Sequence, residues 1–212
     1  MIIVYLLIIE NQGFYLSINI NGLNSRAKRK RILTKLIKQN VDIICIQETH
    51  IRKSEEKFLD CPKLGKLFTA PADKKKKKGI AIYVRDDLKA ELIWADPVGR
   101  TLVVQISING ITLLLVVIYA PNDDQGKFFK HLHQKITEFE NGNIILIGDF
   151  NSIADYRKDH SNRSKNKKGN REFSKPYAPQ HEPQVLEVSI HRRYLLPHVV
   201  VMQGNPEVLA KN

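Results

Sequence analysis

The stretch NIILIGDFN, residues 143–151, sets the tightest limit on what this chain can fold into. Its apolar half shows no alternation of apolar and polar side chains, and it is too short for a helix buried all round. It reads as a strand covered on both faces, which requires layers of structure above and below it. VDIICIQE, residues 41–48, is a second β-branched run of the same kind. Between an alternating strand at 14–20 (FYLSINI) and that run lies LNSRAKRKRILTKLIKQN. There Ile32, Leu33, Leu36 and Ile37 fall on one helical face, with Lys and Arg opposite. Strand, helix, strand is the pattern of a parallel crossover.

The middle of the chain reads differently. A basic loop, KKKKK at 74–78, leads into a strand from Gly79 to Arg85. AELIWAD and TLVVQISI are further strands, and Asn109-Gly110 between two β-rich runs predicts a tight hairpin. DDQGKFFKHLHQKITEFE predicts a helix with Phe128, Phe129, Leu132, Ile136 and Phe139 on one stripe. Beyond about Asp155 the sequence turns polar, basic and aperiodic, and five of the nine prolines fall at or after Pro176. That composition predicts a linker and a poorly ordered tail. The expected organisation is an extension over 1–13, a domain over 14–155 and a tail over 156–212. The opening MIIVYLLIIE is too short to span a bilayer and lacks the features of a signal peptide, so it reads as an extra strand or a stray extension.

Four apolar strands end in oxygen-bearing side chains. LSININGL brings Asn19 and Asn21, IICIQETH brings Glu48, LLLVVIYAPN brings Tyr119 and Asn122, and IILIGDFN brings Asp149 and Asn151. Taken singly, each has an ordinary reading as a turn, a cap or a core edge. Taken together, carboxylates and amides without cysteine suit a hard cation such as Mg²⁺, with Mn²⁺ as the alternative. Cys45 reads as a core residue and Cys61 as a loop residue; neither has zinc-ligand spacing. The net charge is +12, from 34 Lys and Arg against 22 Asp and Glu, which favours a polyanionic partner such as nucleic acid or an anionic membrane surface, with a merely solubilising surface as the ordinary alternative. A basic surface around a hard-cation site points to metal-assisted attack on a phosphodiester.

The ordered set INING, DIICIQETH, KGIAIYV, VIYAPN and GDFN resembles the endonuclease/exonuclease/phosphatase superfamily. Within it, the likeness is to the endonuclease domain of long interspersed element retrotransposons, itself similar to exonuclease III and the AP endonucleases. The resemblance covers residues 14 to about 155. It implies an α/β fold, a four-layer α/β/β/α sandwich, here expected to be C-terminally truncated. It implies Mg²⁺-dependent cleavage of double-stranded DNA, held through its phosphate backbone, leaving a 3′-hydroxyl. RNA is a secondary partner; no membrane and no small-molecule cofactor are implied, and the place of action would be the nucleus. Carried over by motif, Glu48 is similar to the main metal ligand, with Asn19 beside it. Asp149 and Asn151 resemble the residues that orient the attacking water, and Tyr119 the one that contacts the scissile phosphate. Asn122 and Asn21 are implied as further substrate contacts.

The superfamily pattern also includes a late Asp and a Ser-Asp-His motif, which this sequence does not show in the right context. Asp159-His160-Ser161 comes too soon after GDFN and leads into NRSKNKKGN, not an apolar strand. His181, His191 and His198 have no flanking Asp, and His50 reads as a neighbour of the site. Two readings therefore stand at this point: a metal-dependent nuclease, and a retrotransposon-derived fragment or relic that binds nucleic acid without cutting it.

Overall fold

The computed structural model describes residues 3–9, 13–72, 78–139, 143–151 and 199–203. In chain order the elements are β1 (Ile3–Ile9), β2 (Gly13–Asn19), α1 (Arg26–Ile37), β3 (Ile43–Gln47), β4 (Lys66–Ala70), β5 (Ile80–Val84), β6 (Lys89–Ala95), β7 (Thr101–Ile108), β8 (Ile111–Tyr119), α2 (Gln125–Thr137), β9 (Asn143–Asp149) and β10 (Val199–Gln203). Short 3-10 turns at Lys53–Leu59 and Pro62–Leu64 join β3 to β4.

The strands form two mixed five-stranded sheets, ordered β1-β2-β3-β5-β4 and β10-β9-β8-β7-β6. Each sheet contains one parallel pair, β2 with β3 and β8 with β9. Each parallel pair is connected by a helix, α1 in one sheet and α2 in the other, because parallel neighbours need a crossover. The remaining pairs are antiparallel, and β7–β8 turns through Asn109-Gly110, both with positive φ.

Side-chain parity explains the layering. Along β3, Ile43 and Cys45 join Tyr15, Ile82, Leu102, Leu115, Val117, Ile145 and Ile147 in a core between the sheets. Ile44 and Ile46 point the other way, into a second core with Leu16, Ile18, Ile32 and Leu36 beneath α1. Leu114, Val116, Ile118 and Leu146 form a third core with Leu132, and Phe128, Phe129, Ile136 and Phe139 pack against it beneath α2. The result is helix, sheet, sheet, helix, the expected four layers. In α1 the predicted stripe is only partly buried: Ile32 and Leu36 are covered, while Ile37 stands exposed at the helix end.

Strand β4 was not legible in the sequence. It is a five-residue edge strand whose residues run from exposed Lys66 to buried Ala70, with no clean alternation. At the opposite edge β1 pairs antiparallel with β2, so Ile3–Ile9 of the opening apolar segment form a strand. Val199–Gln203 pairs antiparallel with β9, beginning two residues after Pro197, which cannot donate to a ladder. The rest of the basic tract and tail, including Asp159-His160-Ser161, and the lysines at 74–77 lie outside the described residues. Among the described residues no helix is long and apolar enough to cross a membrane.

Candidate active site

The C-terminal ends of both parallel pairs lie at the same end of the sandwich. In one sheet Asn19 is the register partner of Gln47; in the other, Tyr119 is the partner of Asp149. Asn19 follows Tyr15 and Ser17 at alternate positions, and Asp149 follows Ile145 and Ile147. Both therefore point where the inter-sheet core points, and they are the last side chains of that face before solvent. The Asn19 amide crosses the gap. Its Nδ2 donates to Glu48 Oε1 at 2.9 Å and to Asp149 Oδ2 at 2.7 Å. Its Oδ1 accepts from the Asn21 backbone N–H at 3.1 Å, which fixes the orientation of the amide. Two carboxylates from two sheets thus share one NH₂ group, with their bonded oxygens closer together than the sum of those two bonds.

Glu48 reaches this point by a turn that parity alone forbids. Ile43, Cys45 and Gln47 face inward, so an extended residue 48 would face α1. Glu48 instead takes a left-handed conformation, φ 54°. Flanking segments hold that strained backbone in place. Gly22 N–H donates to Glu48 O at 2.7 Å, Leu23 N–H to Thr49 O at 2.8 Å, and Thr49 N–H to Gly79 O at 3.0 Å. Gly22 must be glycine: its φ is +87°, and a Cβ there would lie 2.7 Å from His50 Nδ1. His50 in turn places Nε2 3.4 Å from Glu48 Oε2.

The Tyr119 phenol hydrogen-bonds the Glu48 carboxylate. Burial, then that bond and the charge of Glu48, push its ionisation well above the usual phenol range, with Arg100 pulling weakly the other way. Tyr119 is therefore a protonated donor throughout the neutral range.

With the geometry established, comparison with known proteins decides the ancestry. A family model described as "Endonuclease/Exonuclease/phosphatase family" matches residues 16–186. The chain belongs to that family. Two solved structures share its fold: a humanized D. rerio TDP2 carrying 14 mutations, with TM-score 0.51, 20% identity and coverage of 69% of this chain and 65% of that one; and the endonuclease domain of TRAS1, a telomere-specific non-LTR retrotransposon, with TM-score 0.51, 18% identity and coverage of 69% and 67%. This endonuclease/exonuclease/phosphatase chain spans about two thirds of the length of each.

In this family member the other residues singled out from the sequence fall at different distances from the carboxylates. Asn151 is adjacent: its backbone N–H donates to Asp149 Oδ1 at 3.0 Å, and its Nδ2 to Ala120 O at 2.7 Å. Asn21 is exposed and enters only through its backbone bond to Asn19. Asn122 is exposed in the turn after β8 and makes no hydrogen bond to the other six among the described residues. Two residues that sequence reasoning passed over lie against the site. Arg100 donates from Nη1 to Tyr119 O at 2.9 Å, and its guanidinium sits 5.2 Å over the Tyr119 ring. Its only sequence signal is a basic residue after Gly99, at the entry to an apolar strand. Gln125, at the start of α2, binds the loops after β8 and β9, and nothing in its surrounding sequence marks it.

Among the described residues no three of His, Cys, Asp and Glu gather into a metal cluster. The donors at this end are two carboxylates, two asparagine amides and a phenol, all oxygen ligands of the hard type. A surface cleft of about 500 Å³ lies at the other end of the sandwich among Asp42, Arg85, Asp87, Ser107 and Asn109. There Asp42 and Asp87 already bind Arg85, so it offers no comparable chemistry.

Proposed function

We propose that this chain is a metal-dependent DNA endonuclease of retrotransposon origin that hydrolyses a phosphodiester. The observation that carries the reading is the Asn19 amide joining Glu48 and Asp149 across the two sheets. Glu48, with Asn19 beside it, would hold Mg²⁺, and the all-oxygen donor set fits that ion. The cation, when bound, would neutralise charge developing on the phosphate oxygens. Asp149 orients the attacking water and accepts its proton. Asn151, whose Nδ2 is committed to Ala120 O, offers Oδ1 to the same water. The Tyr119 hydroxyl donates to a phosphate oxygen, and Arg100 adds positive charge behind it. Asn21 and Asn122, exposed on the rim, meet the flanking backbone of the DNA.

The test is plasmid nicking by the purified chain with Mg²⁺ and with chelator, alongside Glu48→Gln and Asp149→Asn. Each variant should lose roughly 100-fold or more in rate, because members of a cooperating constellation fail together. Undiminished nicking in both variants would overturn the assignment.

A second reading has its own support. The exposed side of α1 carries Arg26, Lys30, Arg31, Lys35 and Lys38, and the helix has no acidic residue. His50 is the one histidine adjoining the site among the described residues. A folded chain that binds duplex DNA but leaves it intact in Mg²⁺ would establish this reading instead.

A further inference from the structure

Gln125 is the first residue of α2, and its side chain does not stay with the helix. Its Nε2 lies 3.0 Å from Pro121 O, 3.3 Å from Phe150 O and 2.7 Å from Asn151 O. Pro121 belongs to the loop after β8; Phe150 and Asn151 belong to the loop after β9. One NH₂ group therefore serves three backbone carbonyls from two loops. Two hydrogens for three acceptors means that one hydrogen is shared. Without a donor at that point, three carbonyl dipoles would converge on each other.

The surroundings show what this clamp holds. Asn151 has a left-handed backbone, φ 46°, which costs energy in any residue but glycine. Its side chain is tied to Ala120 O, and Ala120 N–H donates back to Asp149 O at 2.8 Å. The start of α2 has no ordinary cap: Asp124 is itself left-handed, φ 55°, and its side chain caps nothing. The Gln125 side chain thus fixes where the helix begins relative to Asn151.

We infer that Gln125 is a positioning residue that acts through Asn151, by holding the left-handed backbone that sets the Asn151 amide beside Asp149. The inference rests on the nuclease reading above, because it assigns Asn151 a role in cleavage. Gln125 itself meets no substrate in this arrangement, so its loss should lower kcat and leave KM for DNA unchanged.

The experiment is a double-mutant cycle in Mg²⁺-dependent nicking, with Gln125→Glu, Gln125→Ala, Asn151→Ala and the corresponding doubles. Glutamate keeps the shape but replaces the donor with an acceptor. Both Gln125 variants should lower kcat roughly 10-fold or more at constant KM, since small misplacements of a positioning group cost that much. In the Asn151→Ala background the same changes should cost nothing. A full-sized loss in that background, or a loss expressed in KM, would overturn the inference.

Amide NMR on the same proteins supplies a readout independent of cleavage. Gln125→Glu should shift the Asn151 backbone and side-chain amide signals and speed their hydrogen exchange. If the parent chain does not nick DNA, the nuclease reading fails by itself, and unchanged Asn151 signals would then show that the clamp fails too.

Discussion

Replacing Asn19 with alanine removes the amide that joins Glu48 and Asp149 across the two sheets, and the structure sets the size of the effect. Two hydrogen bonds to carboxylates are lost, at 2.9 and 2.7 Å. A hydrogen bond to a charged partner contributes about 1.5–3 kcal/mol, and partial exposure reduces this, since the Glu48 side chain retains 18% of its accessible surface. Halving each contribution gives a loss of about 1.5–3 kcal/mol. For a chain of this size that corresponds to a fall in Tm of about 3–12 °C. The variant also leaves Glu48 and Asp149 facing each other with no donor between them. The assay is thermal and urea unfolding of parent and Asn19→Ala, first in chelator and then in Mg²⁺. Asn19 stands beside Glu48 in the proposed cation site, so the variant should gain less from Mg²⁺ than the parent and the deficit should widen when Mg²⁺ is added. A loss below about 0.5 kcal/mol in chelator would refute the bridging argument. A deficit that Mg²⁺ leaves unchanged or narrows would refute the placing of Asn19 beside the cation.

Gly148→Ala should be among the most damaging small changes in the chain: φ is +146° and a Cβ would lie 2.0 Å from Ile118 O, so yield of soluble protein and Tm should both collapse, and a variant within 3 °C of the parent (a change of about 1 kcal/mol) would contradict the packing of β8 on β9. Tyr15 and Tyr83 are pushed up in pKa by burial first and then by neighbouring thiols and carboxylates. The folded state therefore holds those protons more tightly than the unfolded one. Their contribution to stability is intact below the unfolded phenol value near about 10 and is lost as pH rises above it. Ultraviolet titration should show both phenols still protonated at about pH 11, where an open tyrosine has ionised; ordinary ionisation in the folded chain would count against their burial. Affinity for duplex DNA should fall roughly tenfold or more between about 50 and 200 mM salt, as release of counterions from the phosphates demands; binding indifferent to salt would remove the basic face of α1 from the account.

The parts of this fold legible in the sequence are those governed by repetition along the chain. The buried runs at 43–47 and 113–118 announce strands covered on both faces, and the stripe from Phe128 to Phe139 announces α2. Asn19, Tyr119 and Asp149 were legible as site candidates because each closes an apolar strand, and parity then carries them to one place. Glu48 was legible as the oxygen-bearing end of an apolar run, although its parity points away from the site and a left-handed turn brings it back. What escaped depends on contacts that leave no trace in order or spacing. Lys66–Ala70 has too little apolar pattern to stand out, and it is a strand because β5 supplies the neighbouring ladder. Arg100 and Gln125 act on main-chain carbonyls, which every residue has, so no neighbouring letter reveals them.

The bond from Asn19 to Asp149 joins residues 130 positions apart, one from each sheet, and its length is set by how thick the filling between the sheets is. That turns the site into a caliper for the core. An added methylene at Val104, deep in the core between the sheets, would wedge the jaws open by a fraction of an ångström while leaving each sheet intact. Such a change would register at Glu48 and Asp149 as well as in the melting curve, since overpacking a core costs about 1–3 kcal/mol. Interior volume in this sandwich thus matters twice, once for holding the chain together and once for the gap that the Asn19 amide spans.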